Sequence, residues 1–369
     1  MSAPLRQRAE RARAWLFDDA LPVWAEHGAN PRGGFHDRLG ADLTPIGERM
    51  RLRVQARQTF VFAEAGRLGW EGAWGPLVEH GLAFLLHRAR DEAGLVRSEF
   101  DPDGGPTAPG PELYDQAFAL FAYAQAFRAL GDQRAREAAL GLHDALAPFS
   151  HPRGGYREPT RAGLGANANM HLFEAVLTWA ELDANGPWAG VADGLARLCA
   201  ERLVNEEGAL REHFDDDWRP AEGARGTLTE PGHHYEWAWL LRRWGRPAAE
   251  LAGPLCRRAE RAGVDPARRV AINEVDVEGH AVDGQARLWP QTERLRAAVA
   301  LTKDGGAEWE GPAVEAFDSL FAYIEPAPPG LWYDLMDEDG RIAPEPSPAS
   351  SFYHVVGALS ELIREYGPW

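Results

Sequence analysis

No run of eighteen uncharged apolar residues occurs anywhere in the 369-residue sequence, which excludes a membrane-spanning helix. Cysteine is scarce. The two present, Cys199 and Cys256, each fall inside a helical pattern, so they read as reduced, small core residues rather than a disulfide framework, and they point to the cytoplasm. The stretch Ser2-Ala3-Pro4-Leu5-Arg6 passes directly into a charged amphipathic segment and lacks the apolar core of a signal peptide. A basic stripe is also missing. With a net charge of -17 the chain has no means of neutralising a phosphate backbone, which excludes DNA and RNA as partners. The same charge disfavours phosphorylated substrates more weakly, and it keeps the protein soluble. What is present is an ordinary globular mixture, 45% hydrophobic and 26% charged, with enough chain to bury a large core. Fourteen tryptophans supply flat apolar faces with one polar handle, which suit sugars and also fill cores. Composition leaves oligomeric state open, a homodimer included.

Helical patterns alternate with Gly-rich stretches at a period of roughly sixty residues. Helices are expected at about 4–28, 53–69, 73–90, 113–130, 132–147, 166–183, 187–204, 229–245, 247–264, 287–303, 309–326 and 348–366. These form six pairs whose members differ. Residues 113–130 (LYDQAFALFAYAQAFRAL) are apolar almost all round, whereas 132–147 gather Ala138, Leu142 and Leu146 on one face and place Arg134, Glu137 and Asp144 elsewhere. A helix apolar on every side is buried on every side. The even-numbered helices are therefore inner and the odd-numbered ones outer. Short links such as Gly131-Asp132 and Asn185-Gly186-Pro187 lead from inner to outer helices. Long links of about 20 residues lead back, each reading as strand, turn and return strand. They carry Gly34-Phe35-His36-Asp37, Gly94-Leu95-Val96-Arg97, Gly155-Tyr156-Arg157-Glu158, Gly208-Ala209-Leu210-Arg211-Glu212 and Gly330-Leu331-Trp332-Tyr333-Asp334. The expected fold is all-α: one domain over 1–369, an (α/α)6 barrel of twelve helices in two rings, with short β-hairpin loops gathered at the end where the inner helices start. Function is expected at that end, on loops carried by a rigid scaffold.

Polar residues cluster where the inner helices begin. Arg57 stands near the start of the second helix, and Tyr114, Asp115 and Gln116 open the fourth. Asn169, His171 and Glu174 lie on the sixth, His233, His234 and Glu236 on the eighth, Trp289, Gln291 and Glu293 on the tenth, and His354 on the twelfth. Buried Arg without a purpose is rare, which favours a working Arg57. Tyr114, Asp115 and Gln116 also suit capping and packing. A lone His on an apolar helix is usually a satisfied core residue, but His171, His233 and His354 share one level. His234 points elsewhere and reads as structural. Glu174 and Glu236 each follow a His by three residues, on the same helix face, where a carboxylate fixes a ring tautomer or holds a hydroxyl. His with Glu also raises zinc. The HExxH form is absent, and the Arg and Trp at the same level suit a neutral polyol better. No metal and no cofactor are therefore expected.

The segments GGFHDRL, RVQARQ, ELYDQAFAL, NANMHLFEA, PGHHYEWAWLL, RLWPQTE and SFYHVVGAL, in this order, resemble the N-acylglucosamine 2-epimerase superfamily over most of the chain. That resemblance implies an (α/α)6 barrel interconverting sugars at C1 and C2 without a required metal. It also implies that His233 and His354 are acid/base residues, that Arg57, Asn169, His171, Glu174 and Glu236 line the pocket, and that Trp289 is a sugar-stacking wall. One departure is that cellobiose epimerases tend to carry His where Asn169 stands. RVQARQ and GGFHDRL look most like the mannose isomerase branch. The expected activity is aldose–ketose isomerisation of D-mannose and D-fructose, or a close relative, through a cis-enediolate. A His near neutrality suits the proton transfers, and Arg57 suits the developing oxyanion. The sugar 2-epimerases are the alternative, since two bases on opposite sides permit either outcome. A glycoside hydrolase would need two carboxylates, such as Asp115 with Glu236 or Glu293, and would leave three histidines idle; a sugar-binding module without chemistry would leave His233 and His354 unused. His233 and His354 are expected to face each other across an open pocket, with Arg57 near the C1–C2 end of the sugar.

Overall fold

A stretch such as LYDQAFALFAYAQAFRAL has no polar face to give to solvent, and the molecule gives it none. The computed structural model describes residues 2–47, 49–107, 110–160, 163–245 and 247–367, and in it helix Leu113–Leu130 is buried from Leu113 to Ala126, save half-buried Tyr114. Burial of each large apolar side chain there, Phe118, Leu120 and Phe121 among them, contributes about 1.5–3 kcal/mol. The helix stops where Gly131 takes a left-handed conformation at φ 68°, a cap that costs glycine nothing. Asp132 then accepts a hydrogen bond from the amide of Arg134 and starts the next helix.

Twelve helices follow this scheme among the described residues. We number them α1 (3–27), α2 (Leu52–Arg67), α3 (74–89), α4 (Leu113–Leu130), α5 (Gln133–Leu146), α6 (Ala166–Leu182), α7 (188–203), α8 (Pro231–Trp244), α9 (Ala252–Gly263), α10 (Leu288–Lys303), α11 (Glu310–Ile324) and α12 (Ala349–Tyr366). Each even-numbered helix packs on the next, and α12 returns to α2, so the inner ring closes. The odd-numbered helices lie outside against their partners, with α5 burying Ala135, Ala138, Ala139, Leu142 and Leu146. The boundaries depart from expectation chiefly at α9. Its first turn is a separate 3₁₀ segment, Pro247–Leu251, and the α-helix proper begins at Ala252. Cys199 and Cys256 are buried and unbridged.

The long loops differ from simple hairpins. Their strands are two or three residues long, and the pairing runs between loops as well as within them. Met50 lies opposite Phe100, Leu164 opposite Phe214, Leu228 opposite Asp276, and Ala286 opposite Met336. Arg38 opposite Pro348 joins the first loop to the last. The loops thus form a stitched collar over one end of the barrel.

One repeated contact fixes each loop to the ring. Gln55 takes both the amide and the carbonyl of Phe35 with its side-chain amide, Gln116 does so with Val96, Asn169 with Tyr156, and Gln291 with Ala271. In the fourth loop His234 Nε2 accepts from the Leu210 amide. In the sixth, the Ser347 hydroxyl accepts from the Trp332 amide and donates to its carbonyl. Backbone groups buried under the collar would otherwise be unsatisfied. In five loops a glycine with positive φ turns the chain just before the clasped residue, while the remaining loop uses Arg269 at φ 61°.

Candidate active site

The clasp sets a register that decides which side chains reach the barrel axis. The residue two positions beyond the clasp is Arg57 on α2, Phe118 on α4, His171 on α6, Glu236 on α8 and Glu293 on α10. Arg57, His171 and Glu236 line a cavity of about 270 Å³ together with Tyr114, Asn167, His233, Trp289 and His354 and with loop residues Glu230, Arg287 and Asp334. The inner helices point their N-termini at this space, and the resulting partial positive charge favours an oxyanion there.

The two outermost histidines are held by carboxylates in opposite electrostatic settings. His354 Nδ1 is hydrogen-bonded to Glu293 Oε1 at 2.8 Å. Burial, reinforced by the Arg57 guanidinium, keeps this imidazole well below its ordinary value and therefore neutral. His233 Nδ1 lies 3.0 Å from Glu212 Oε1 and 3.8 Å from Glu230 Oε1. The Glu212 contact is an ion pair rather than an aligned hydrogen bond, since neither atom has a well-directed partner. Burial opposes charge on His233, but Glu212 and Glu230 outweigh it and raise the imidazolium to about 10. One ring is thus poised to accept a proton and the other to donate one. Trp289 packs against both, its ring 5.1 Å from His233 and 5.6 Å from His354. That placement requires Gly232, where a Cβ would lie 2.4 Å from the indole.

Arg57 is 5% exposed and donates to the Tyr114 hydroxyl at 2.7 Å and to the Ser350 carbonyl at 3.0 Å. Its Nε is buried without a partner, and among the described residues no carboxylate comes within ion-pair distance. It is a cation held by aromatic faces, Phe118 at 4.3 Å and Tyr353 at 5.0 Å, rather than by a counter-charge. His171 stands edge-on to Tyr114, 3.6 Å from Glu236 and 3.7 Å from Glu174; burial lowers it to about 4, so it is neutral. Beneath lies a carboxylate cluster. Burial, with Glu293 and Glu174 nearby, drives Glu236 well above the carboxylate range, and both its oxygens lack partners. Burial likewise lifts Glu293, to about 7, against the pull of Arg296. Glu174 is ionised despite burial, because His171, Arg296 and the Tyr353 hydroxyl stabilise its charge.

Three of the residues expected to hold substrate are occupied elsewhere. Asn169 and Gln291 spend their amides on the collar backbone. Asp115 is fully buried in a two-point pair with Arg53 at 2.9 and 3.0 Å. None of the three lines the cavity. Glu174 lies behind His171 rather than at the surface of the pocket. Conversely, Asn167 does line it, with a buried, unpartnered Oδ1. Glu212 was not singled out from the sequence as a site residue, nor was Glu293 paired with His354. The signal for Glu212 is the repeat itself: the residue two beyond each clasped one is Asp37, Ser98, Glu158, Glu212, Asn273 or Asp334, a polar group directed to the start of an inner helix. Glu212 with Glu230 and His233, Glu236 with Glu293 and His354, and His171 with Glu174 and Glu236 each bring three potential ligand atoms within 4.8 Å of one another.

The sequence profile of the N-acylglucosamine 2-epimerase (GlcNAc 2-epimerase) family matches residues 33–358. The chain belongs to this family. It is 38% identical over 384 residues, covering 98% of each chain, to a protein of Rhizobium meliloti (strain 1021) named mannose-6-phosphate isomerase. It is 34% identical over 259 residues to a D-mannose isomerase of Thermobifida fusca, covering 62% of this chain and 61% of the relative. The fold superposes on a crystal structure of D-mannose isomerase with a TM-score of 0.87 at 23% identity, over 96% of this chain and 97% of the other. This family member has the (α/α)6 barrel and, among the described residues, no helix long and apolar enough to cross a membrane.

Proposed function

We propose that this chain is a metal-independent aldose–ketose isomerase acting on D-mannose and D-fructose or a close, unphosphorylated relative. The observation that carries the reading is the opposed protonation of the two histidines around one small cavity. His233, held as imidazolium by Glu212, donates a proton to O5 as the pyranose opens, and the O1 proton passes through water to His233, which becomes the imidazolium again. Neutral His354, oriented through Nδ1 by Glu293, removes the proton at C2 of the open aldose. The electrons form the C1–C2 double bond of a cis-enediolate, and the negative charge falls on O1 beside Arg57. His354 then returns the proton to C1 while the O2 proton moves to O1, giving the ketose. The identity with a protein named D-mannose isomerase supports this substrate class, and that with a protein named mannose-6-phosphate isomerase supports isomerisation of a mannose-type sugar. Against a phosphorylated sugar, the net charge of -17 weakly disfavours an anionic substrate. The reading places the enzyme in the cytoplasm.

A second reading, 2-epimerisation, is favoured by one observation. A neighbouring cavity of about 700 Å³ shares Tyr114, Asn167 and Glu230 with the first, leaving room for a second sugar ring of the kind a disaccharide epimerase must hold. Proton NMR of mannose, fructose, glucose, cellobiose and mannose 6-phosphate with the protein in D2O separates these. Fructose growing from mannose, with deuterium entering at the transfer position, is expected. Glucose appearing from mannose before fructose selects epimerisation, and turnover confined to mannose 6-phosphate rejects the unphosphorylated substrate.

A further inference from the structure

The barrel has a second cavity at its opposite end, about 400 Å³ in volume, within the range of ligand pockets. It is reached from the last turns of the inner helices, and its walls carry six arginines: Arg67, Arg128, Arg242, Arg243, Arg296 and Arg364. Four carboxylates face them, and two of these are shared. Glu64 binds both Arg67 and Arg364. Glu181 binds both Arg128 and Arg243, at 2.7 and 2.8 Å. Arg242 is paired with Asp304 at 2.5 Å and Arg296 with Glu174 and Glu293, so positive charge is in excess among Arg67, Arg128, Arg243 and Arg364, which share Glu64 and Glu181, inside a molecule whose net charge is -17.

A cation near a helix C-terminus offsets the carbonyl dipole, which accounts for one arginine per helix. It does not account for two guanidiniums sharing Glu64 and two sharing Glu181, nor for a buried donor left without a partner in the cavity wall. Arg296 is 6% exposed with an unpartnered Nε. Burial, together with the neighbouring Arg67 charge, lowers Arg128 to about 10, as crowding of like charges does.

We propose that this cavity is a binding site for a small divalent oxyanion, a phosphate group either free or esterified to a small metabolite. The guanidinium forks of Arg128 and Arg243 on one wall and Arg67 and Arg364 on another match the oxygens of such a group. The site is separate from the catalytic pocket, although Arg296 lies 3.6 Å from Glu293, the carboxylate that holds His354.

Calorimetric titration with inorganic phosphate and with glycerol 3-phosphate, at constant ionic strength balanced by sodium chloride, tests the proposal. Saturable one-to-one binding is expected for the wild type. The double variant Arg128→Gln/Arg243→Gln loses two charge-assisted hydrogen bonds and should bind about tenfold more weakly or worse. Glu181→Gln removes the competing carboxylate and should bind several-fold more tightly, a gain that a purely structural role for these residues does not produce. Arg57→Ala should leave binding unchanged. Thermal melts establish folding, and Glu181→Gln with Arg57→Ala carries the test if the double variant does not fold. Tighter binding of glycerol 3-phosphate assigns an esterified ligand, and equal binding assigns the phosphate group alone. Absence of saturable binding, equal affinity in all variants, or loss of binding with Arg57→Ala would overturn the proposal.

Discussion

Replacing Glu212 by Gln tests the division of labour between the two histidines most directly. Glu212 Oε1 lies 3.0 Å from His233 Nδ1. Two unit charges at that distance attract by about 5 kcal/mol at an effective dielectric constant of roughly 20, equivalent to about four pH units. Burial works against that attraction and Glu230 assists it, leaving His233 at about 10. Without the Glu212 charge, burial and Glu230 remain, and His233 should fall by about three pH units, to near neutrality. If its proton is the one delivered to O5, the alkaline limb of kcat/KM moves down by the same amount. At pH 8.5 the variant should then be slower by about thirtyfold, while near pH 6 it should approach the wild type. Glu212→Asp, which keeps the charge at a longer reach, should fall between. Stability gives an independent readout with a definite sign. His233 has a folded value above its unfolded one, so its contribution is complete below about pH 6.5 and is lost as pH rises through about 10. The difference in Tm between wild type and Glu212→Gln should therefore be largest near pH 6 and shrink towards pH 10. An unchanged alkaline limb accompanied by a normal loss of Tm would make Glu212 a structural partner only and refute the acid assignment.

Two further outcomes follow from the same geometry. His354→Ala and His233→Ala should each cut turnover by about 10²–10⁴-fold with near-normal thermal melts, and His354→Ala should abolish deuterium exchange at C2 of mannose; exchange at close to the wild-type rate would exonerate that histidine. Dialysis against EDTA should leave turnover intact. Loss of activity restored by one divalent ion would assign that ion to one of the clusters around His171, His233 or His354.

The barrel was legible because its two rings obey different burial rules. An all-round apolar helix such as α4 and a one-faced helix such as α5 leave distinct patterns over four turns, and Gly131-Asp132 marks the joint between them. The collar was legible only in outline, since strands of two residues such as Arg38–Leu39 pair with a loop about 310 residues away and carry no periodicity of their own. In the site, His171, His233, His354, Arg57 and Trp289 stand out by residue type at one level of the barrel. Type alone does not reveal direction. Asn169 and His171 are two residues apart on α6, yet the first turns outward to the loop and the second inward to the pocket. Glu293 shows the converse: its role depends on His354, 61 residues away, a contact no local pattern encodes. Trp289 packs against both histidines, a contact that depends on the missing Cβ of Gly232.

Gln291 gives the sharpest separation between a substrate contact and a scaffold contact. Its residue type and its place at the start of an inner helix both suit a sugar hydroxyl. Its three hydrogen bonds go instead to Ala271 and Arg287, with Oε1 accepting from the Ala271 amide at 2.8 Å and Nε2 donating to the Ala271 carbonyl at 2.8 Å and the Arg287 carbonyl at 3.0 Å. The side chain is fully buried. Gln291→Ala therefore strands a buried N–H and a buried C=O, and each orphaned group costs about 1–3 kcal/mol. A loss of roughly 2–6 kcal/mol is expected, part of it recovered if water enters the space left behind. Gln291→Glu removes the donor but keeps the acceptor and should be intermediate. Because Trp289 and Glu293 flank Gln291 on the same helix, kcat should fall somewhat as the loop loosens, while KM for mannose changes little. Chemical denaturation and steady-state kinetics on the same preparations decide the matter. A variant with wild-type stability and a KM raised tenfold or more would return Gln291 to the sugar and break the clasp as the rule that sets which residues face the pocket.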